Sequence, residues 1–435
     1  MTLVFEHSMK RPQRARHTSS VQKESAIVDG IDISGHWNKM YAPREITAYD
    51  PGALDRVTAI PGAESMGWCY QCGKCIGVCP VDNVGDYGPR KLFRKLQMGQ
   101  DLINNPDLWQ CTTCMNCLRV CPKEVDMIKI MPAVRAQAVL DGTNVPQELQ
   151  DMFRNVAEYG NPMGESARKR VRWAKDLDFE VKDLSKAPQP VETLWFVGDY
   201  YAYHGRGNDA ARAMARVFNR MGVDFGILGS EERCDGDSQR LAGEPGLFQM
   251  LAEHNIEQFK KHDFQHVVVS DPHAYNALKN EYPKLGGAFT VFHYTQLLDQ
   301  RLERLRPLLT KRFEKKVTFH DPCYLGRHNG EYDAPRALLN AVPGIQFGEM
   351  IRCREQGYCC GGGGGGMWLD GFMSDHVGER LSENRVREAV AVGAEVLAVC
   401  CSYEVSRFED AVKSTGNEGK LQVLDIIEIL DHCMG

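Results

Sequence analysis

Cysteine is the residue type that most constrains how this chain of 435 residues can fold. Eight of its 16 cysteines lie between residues 69 and 121, six lie between 323 and 401, and only Cys234 and Cys433 lie elsewhere. The first twenty residues lack the uninterrupted apolar core of a secretory signal, which predicts a cytoplasmic chain with reduced thiols. We therefore expect the clustered cysteines to bind metal or to carry redox chemistry, and not to form disulfides.

The first cysteine cluster contains one spacing twice. Each run has three cysteines at every third position and a fourth just before a proline: Cys69, Cys72, Cys75, Cys79 and Cys111, Cys114, Cys117, Cys121. In bacterial ferredoxins the first three cysteines of such a run bind one cubane 4Fe-4S cluster, and the fourth binds the neighbouring cluster. This predicts one cluster on Cys69, Cys72, Cys75 and Cys121, and a second on Cys111, Cys114, Cys117 and Cys79. A zinc site would need two separated cysteine pairs around one ion.

Charge and hydropathy exclude two classes of function. The chain has 52 basic and 58 acidic residues, a net charge of −6, so it has no overall positive field with which to hold nucleic acid. No apolar run approaches the roughly 18 to 20 residues of a membrane-spanning helix. The sequence therefore predicts neither a nucleic-acid partner nor a transmembrane segment of its own.

Local patterns divide the chain into five regions. Residues 1–60 are expected to form an irregular arm, whose basic start is either a solvated tail or a docking segment for a partner or an anionic membrane surface. Residues 61–145 are expected to form a mainly helical domain, and 146–190 a charged linker that contains prolines. Short β-rich runs then alternate with helical segments, which predicts α/β units with parallel sheets at 191–310 and 311–435. The basic segment 301–316 is expected to be a solvated helix between them.

The two α/β units are an internal repeat, which usually builds a pseudo-twofold pair. Shifts of 124 to 130 residues align Asp199 with Cys323, Cys234-Asp235 with Cys359-Cys360, and Asp271 with Cys401. The cysteines of the second unit follow predicted strand ends, where α/β sheets bind ligands. Adjacent cysteines make poor disulfides, so a metal site is favoured over buried structural thiols. His293 and His320, also at strand ends, are expected to cap turns or to pack.

Six glycines follow Cys359-Cys360 directly. Gly361, Gly362 and Gly363 are candidate cofactor-binding residues, because such a run suits close approach of the backbone and a nest of N–H groups. A flexible loop is the alternative interpretation. The run is not a dinucleotide fingerprint, since the required spacing is absent.

These motifs resemble a known family. The segments WCYQCGKCIGVCP, LWQCTTCMNCLRVCP, HDPCYLGRHN, YCCGGGGGG and AVCCSYE resemble the cysteine-rich CCG family joined to a helical two-cluster ferredoxin. That arrangement is similar to the D-type polypeptide of heterodisulfide reductase, equivalent to a fusion of its C-type and B-type polypeptides, and to components of sulfite-reductase-associated, high-molecular-weight cytochrome and benzoyl-CoA reductase complexes. The resemblance implies a cytoplasmic component of an anaerobic redox complex, attached to membranes only through partners. Those partners would be a flavoprotein, a membrane cytochrome b or a quinone-linked subunit, with a small thiol or disulfide as a further ligand.

The family also implies a set of ligands for a noncubane cluster in each unit. In the second unit Cys323, Cys359, Cys360 and Cys401 match, whereas Glu404 replaces the last cysteine. Cys400, or less readily Cys353, is a substitute, and an oxygen ligand or an open position is the alternative. In the first unit four of five ligands are replaced, so we expect no cluster there and a leftover thiol at Cys234.

We therefore expect an electron-transfer subunit with two cubane 4Fe-4S clusters and one CCG-type cluster, of cubane or noncubane form. The alternative is a catalytic thiol-disulfide reductase that acts on a small disulfide at the cluster of the second unit. In that case the catalytic site comprises Cys323, Cys359, Cys360 and Cys401.

Overall fold

The computed structural model describes Ile27–Val28, Ile31–Asp32 and residues 50–435. Strands β1 (Ile27–Val28) and β2 (Ile31–Asp32) pair in antiparallel fashion. The basic start of the expected N-terminal arm lies outside the described residues. The described end of that arm is ordered, because helix Ala53–Thr58 buries Ala53 and Val57 against the cysteine-rich domain.

The cysteine-rich domain is mainly helical, as the sequence predicts. Its helices are Pro89–Gln97, Asn116–Arg119 and Met127–Leu140, with 3-10 turns at Glu64–Trp68, Ile76–Val78 and Pro106–Gln110. Pro89 begins the first of these helices, where its missing N–H costs nothing, and Leu92, Phe93 and Leu96 bury one face. Asp126 caps Met127–Leu140 by accepting from the N–H groups of Ile128 and Lys129.

Residues 146–190 are more structured than a linker. Helix Gln147–Tyr159 buries Leu149, Met152 and Val156 in the core of the cysteine-rich domain. Strand β3 (Lys182–Asp183) joins the sheet of the first α/β unit through a parallel pairing with a later strand. The segment therefore connects the two parts of the fold by packing against both.

The first α/β unit is built on an all-parallel sheet in the order β3-β5-β4-β6-β7. The strands after β3 are β4 (Val191–Phe196), β5 (Phe225–Ile227), β6 (Phe264–Val269) and β7 (Val291–His293). The α-helices are Asp199–Tyr203, Gly205–Arg220, Asp237–Leu241, Pro245–Phe259, Pro272–Asn276 and Tyr294–Gln300. A π-helical turn, Ala277–Glu281, continues the fifth helix.

The second unit repeats this topology. Its all-parallel sheet has the order β11-β10-β8-β9, with β8 (Lys316–Phe319), β9 (Gln346–Phe347), β10 (Val396–Val399) and β11 (Gln422–Asp425). Its helices are Asp333–Ala341, Asp370–His376, Leu381–Ala391, Glu404–Ser414 and Ile426–Cys433. If β3 is left aside, the first of four strands in each unit lies between the second and the third, and the fourth lies beside the third at the edge, which confirms the duplicated α/β fold.

The two units share one hydrophobic core. Helices Gly205–Arg220 and Ile426–Cys433 pack against each other, and buried residues of both sheets belong to the same cluster. The connection between the units differs from the expected solvated helix at 301–316. It consists of helix Leu302–Leu305 and the turn Arg306–Leu308, because Pro307 ends the helical hydrogen bonding.

Over the described residues, we find no helix that combines the length and the apolar character needed to span a lipid bilayer.

Candidate iron-sulfur sites

Both cysteine runs have positive φ angles on each side of their second cysteine. The residue before the second cysteine has a positive φ in each run, 68° at Gln71 and 50° at Thr113, and so has the residue after it, 84° at Gly73 and 71° at Met115. Three of these four residues are not glycine, and L-residues adopt this region rarely. Backbone that alternates between positive and negative φ angles turns its N–H groups toward a common concave side. Such a concave side suits an anionic group held between the cysteines.

A first cavity lies at the first run. It contains about 430 Å³ of empty space, part of it open to solvent, and its lining includes Cys69, Cys72, Cys75, Cys117 and Cys121. Cys121 accepts a hydrogen bond from the N–H of Val125 at 3.3 Å, and Cys72 is exposed at the rim. The structure thus brings Cys121 from the second run to the three cysteines of the first, the crossed arrangement that the spacing predicts.

A second cavity, with about 330 Å³ of empty space, lies at the second run. Its lining includes Cys79, Cys111, Cys114 and Cys117, so the fourth cysteine of the first run reaches the second in return. Burial raises the pKa of the Cys79 thiol to about 12. A metal must displace the thiol proton, so it would release a proton on binding here. Cys117 borders both cavities, which are therefore neighbours.

The second α/β unit brings its own cysteines to the second run. The sulfur of Cys359 lies 3.4 Å from Oγ1 of Thr112 in the second run, and Cys359 belongs to one buried cluster with Cys114 and Cys323. Hydrogen bonding with the thiols of Cys114, Cys323 and Cys360 holds the pKa of Cys359 well below its usual range. Four sulfurs from three separate segments thus meet at one buried point, and one of them belongs to the ferredoxin-type run.

The remaining candidate ligands of the second unit lie at different places. Cys401 is buried beside Tyr200 and Tyr403, and burial followed by the charge of Glu404 raises its pKa well above the usual value. Cys400 lies in the hydrophobic core that the two units share, and Cys353 lies beside Glu349 and Asp321. Neither belongs to the buried group of His320, Cys360 and Glu404, and their substitution for the missing fifth cysteine stays a prediction.

Glu404 itself, with His320, is directed toward the cysteines. Potential ligand atoms of His320, Cys360 and Glu404 all lie within 4.8 Å of one another, and all three residues are buried. His320 is therefore placed at the site, and not only as a packed or turn-capping histidine as expected. The signal in the sequence is its place three residues before Cys323, at the end of β8.

The glycine run packs on the backbone of the second run. A Cβ atom at Gly363 would lie 2.5 Å from the carbonyl oxygen of Thr112, and one at Gly364 would lie 2.5 Å from that of Cys111. The N–H groups of Gly361 and Gly362 point to the sulfurs of Cys359 and Cys360 at 3.3 and 3.4 Å. The run thus supplies donors to thiolates and also lets two backbones touch, a contact that the sequence did not suggest.

Gly364→Ala should destabilise the protein more than Gly416→Ala. The φ angles are similar, 62° and 69°, but Gly416 has open space where its Cβ would lie. Both variants should lose about 1 to 2 kcal/mol for the left-handed conformation, and Gly364→Ala about 1 to 3 kcal/mol more for the clash. Thermal unfolding of anaerobically prepared chains measures the difference, and equal midpoints for the two variants would show that the close approach does not exist.

Two buried arginines surround this junction. Arg135 is 0% exposed and donates to the carbonyl oxygens of Leu108, Cys111, Leu241 and Gly364 at 2.7 to 3.1 Å. Arg327 donates to the carbonyl oxygens of Cys114 and Gly357 at 2.7 and 2.6 Å. The first arginine thus joins the cysteine-rich domain to both α/β units.

The surroundings of these two guanidinium groups indicate whether the residues of this region suit an anionic cluster. Neither forms a salt bridge with a carboxylate of the described residues, and Nη2 of Arg327 is buried without a hydrogen-bond partner there. Burial raises the energy of an unpaired cation unless negative charge lies nearby. The charges of Cys114, Cys323 and Cys359 act on Arg327. A thiolate-bound iron-sulfur cluster supplies the missing negative charge, so the residues present fit such a group.

The corresponding region of the first unit holds an internal cation. Arg170 pairs with Asp199 and, at 2.6 Å, with Glu232, and its guanidinium lies 5.0 Å from the centre of the Tyr203 ring. Glu232 also accepts from the N–H groups of Val197 and Gly198, both at 2.9 Å. The position that corresponds to Cys323 is therefore filled by an ion pair.

The aspartates that stand at the ligand positions of the first unit are buried. Asp235 and Asp271 are near each other, and burial followed by the charge of Asp271 raises the pKa of Asp235 well above its usual value. Asp271 caps helix Pro272–Asn276 through the N–H groups of His273 and Ala274. The thiol of Cys234 lies 3.5 Å from Oε1 of Gln239.

The geometry is that of an iron-sulfur protein in which two ferredoxin-type cysteine runs are joined to a duplicated α/β domain. Comparisons with known proteins agree with this class. The chain matches the model of the cysteine-rich CCG domain twice, at residues 194–279 and 317–403, and that of the 4Fe-4S dicluster domain at 65–125. It is 31% identical to the D-type polypeptide of the dihydromethanophenazine:CoB–CoM heterodisulfide reductase of Methanosarcina mazei, over 84% of this chain and 93% of that protein. The chain belongs to the family of iron-sulfur oxidoreductases that contains this D-type polypeptide.

Other relatives are longer than this chain. It is 38% identical to "Probable iron-sulfur-binding oxidoreductase FadF" of Bacillus subtilis, over 76% of the chain and 47% of the relative. It is 34% identical to "EtfAB:quinone oxidoreductase" of Syntrophomonas wolfei, over 86% and 60%. The chain thus spans about half to three fifths of these two relatives.

Among solved structures, a hypothetical protein from Helicobacter pylori has a similar fold. The TM-score is 0.54 at 13% identity, and the match covers 91% of this chain and 79% of that one. At this level of identity the likeness concerns the fold alone.

Proposed function

We propose that this chain is an electron-transfer subunit of a larger redox complex. In this proposal the two ferredoxin-type runs hold two cubane 4Fe-4S clusters, and the second α/β unit holds a CCG-type cluster. When bound, such clusters supply one-electron redox chemistry at potentials that hydrogen bonds to sulfur and burial adjust. The residues of this chain would bind and space the clusters, and exclude water from the innermost one.

The observation that carries the proposal is the contact between Cys114 and Cys359. One residue belongs to the ferredoxin-type run and the other to the CCG motif, yet both lie in one buried cluster, and the sulfur of Cys359 is 3.4 Å from Oγ1 of Thr112 in the same run as Cys114. Electrons that arrive at the second run would therefore reach the CCG cysteines without crossing intervening protein. The exposed Cys72 at the first cavity favours that end for exchange with a partner.

The first unit would support the second without holding a cluster of its own. Soft thiolates suit iron-sulfur clusters, whereas the aligned positions carry hard carboxylates. Arg170 already neutralises Asp199 and Glu232, which leaves no free thiolate set at that position among the described residues. Three clusters per chain follow from this proposal.

The names of relatives favour a partner linked to quinone or a disulfide substrate. One relative is named EtfAB:quinone oxidoreductase, and another is named heterodisulfide reductase. We infer a flavoprotein, a membrane cytochrome b or a quinone-linked subunit as the partner of this chain, which would bring the chain to a membrane through that partner.

Iron analysis tests the number of clusters. Anaerobically purified or reconstituted protein should contain about twelve irons per chain, four for each of three clusters. About eight would show that the CCG site is not a cluster site, and about sixteen would show that the first unit holds one as well.

A catalytic thiol-disulfide reductase is the second candidate function. It is favoured by the relative named CoB–CoM heterodisulfide reductase, because the match to this chain covers 93% of that relative's length. The burial of Cys323, Cys359, Cys360 and Cys401 favours the electron-transfer proposal over it. Addition of a small disulfide to the reduced chain distinguishes the two. Stoichiometric thiol release with reoxidation would identify the reductase, whereas the electron-transfer subunit should not react without its partners.

A further inference from the structure

Glu404 is a buried carboxylate with one free oxygen. It lies three residues after Cys401, begins helix Glu404–Ser414 and is 1% exposed. Its Oε1 lies 3.2 Å from Nε2 of His320, and its Oε2 has no hydrogen-bond partner among the described residues. A buried carboxylate oxygen is costly to leave unpaired, so such an atom indicates that something binds there.

His320 fixes the orientation of this carboxylate. Its Nδ1 accepts from Nε of Arg385 at 3.0 Å, so the single proton of the ring is on Nε2. Nε2 lies 3.2 Å from Oε1 of Glu404 and faces the carboxylate with its N–H group. The histidine can thus orient Glu404 without adding a positive charge beside it.

The carboxylate group of Glu404 is close to a cysteine of the CCG motif. A ligating atom of Glu404, one of His320 and the sulfur of Cys360 lie within 4.8 Å of one another. Hydrogen bonding from a second residue to a ligating side chain is the usual way in which proteins orient metal ligands.

We propose that Glu404 is an oxygen ligand of the iron-sulfur cluster in the second unit, in the place of the family's last cysteine, with His320 as its positioning residue. This inference rests on the proposed function, because it requires a cluster at the CCG site. One hard carboxylate among soft thiolates would make one iron chemically different from the others. That iron would be the point at which a sulfur ligand or a partner group exchanges with the cluster.

Mössbauer spectroscopy of ⁵⁷Fe-labelled holoprotein tests the ligand directly. The wild-type protein should show one iron subsite of the third cluster with oxygen coordination. Glu404→Cys restores a thiolate, so it should keep about twelve irons and lose that subsite spectrum. Glu404→Gln should lose the subsite, with or without loss of its iron. Asp425→Asn is the matched control, since Asp425 is a buried carboxylate that accepts from Tyr201 at 2.6 Å, and it should leave the spectrum unchanged.

The positioning role has its own readout. His320→Gln, whose amide can still donate to Oε1, should preserve the subsite spectrum. His320→Leu should alter it while the iron content of the protein stays at the wild-type value. A purely structural role for His320 would change protein yield or stability and leave the spectrum of the correctly folded fraction as in the wild type.

The same measurements distinguish an error in the ligand role of Glu404 from an error in the proposed function. About eight irons per chain in the wild-type protein would show that the third cluster is not present, and this result would contradict the proposed function. About twelve irons, with Glu404→Cys and wild-type spectra identical, would overturn the ligand role of Glu404 alone. If Glu404→Gln does not fold, the Glu404→Cys spectrum decides by itself.

Discussion

Arg170→Met should lower the free energy of unfolding by about 3 to 5 kcal/mol, the usual loss when one partner of a buried ion pair is removed. Arg170 is 2% exposed and lies between Asp199 and Glu232, both also buried. Methionine keeps most of the apolar stem, so the loss reflects two buried carboxylates without a cation. Thermal or denaturant unfolding, followed by circular dichroism on the anaerobically prepared chain, measures it.

Arg212→Met is the matched control. Arg212 also contacts two carboxylates, those of Asp176 and Asp209, but both are exposed, so its loss should be at most about 1 kcal/mol. Addition of Asp199→Asn and Glu232→Gln to Arg170→Met should recover most of the lost stability, because the unpaired charges are then gone. No recovery would mean that Arg170 acts through packing and not through charge.

The loss in Arg170→Met should also depend on pH. Burial raises the pKa of Glu232 in the native protein, and Arg170 opposes that effect. Without Arg170 the folded-state pKa rises further above the unfolded value, and such a carboxyl costs stability wherever it is ionised. The deficit should therefore be smaller at about pH 5 than at about pH 8. A deficit that grows on acidification would contradict this assignment.

The sequence predicts the α/β units well because their strands are short apolar runs that end in turn residues. β4, β6 and β10 are buried along most or all of their length, and such runs alternate with helical segments. β3 could not be predicted in this way. It has only two residues, Lys182 and Asp183, and its place in the sheet depends on pairing with β5, which is distant in sequence.

The sequence predicts the candidate ligands of each site, but it does not predict the residues that surround those ligands. Spacing alone predicts the ferredoxin-type ligands, because a cluster fixes the separation of its ligands, whereas the ligand set of the CCG motif is predicted from the family resemblance. The partners of Arg135 and Arg170 come from segments that meet only in the folded chain, so spacing carries no information about them. One signal was present, since Arg135 lies among apolar residues in Met127–Leu140, where an unpaired arginine indicates a buried role.

The helix expected at 301–316 illustrates a second limit. Its charge pattern favours a solvated helix, but Pro307 cannot donate the backbone hydrogen bond that an uninterrupted helix needs. Glu404 illustrates a third. The sequence leaves open whether Glu404 supplies an oxygen ligand or leaves an open position, and only the folded chain places its carboxylate beside His320 and Cys360.

Cys114→Ser should affect two sites at once. The thiol of Cys114 lines the second cavity and also contacts Cys359, so this residue lies where the ferredoxin-type run meets the CCG motif. We expect the loss of about four irons, a changed spectrum of the third cluster, and no transfer of electrons from an external reductant to that cluster. Electron paramagnetic resonance during stepwise reduction measures all of these in one series.

Cys72→Ser provides the comparison that makes this result specific. Cys72 is exposed at the first cavity, so its loss should also remove about four irons while the spectrum of the third cluster stays as in the wild type. Cys433→Ser, which changes a buried thiol in the C-terminal helix, should leave all three clusters intact. If Cys114→Ser and Cys72→Ser leave the same third-cluster spectrum, the two sites are not in contact, and electrons must reach the CCG cysteines by another route.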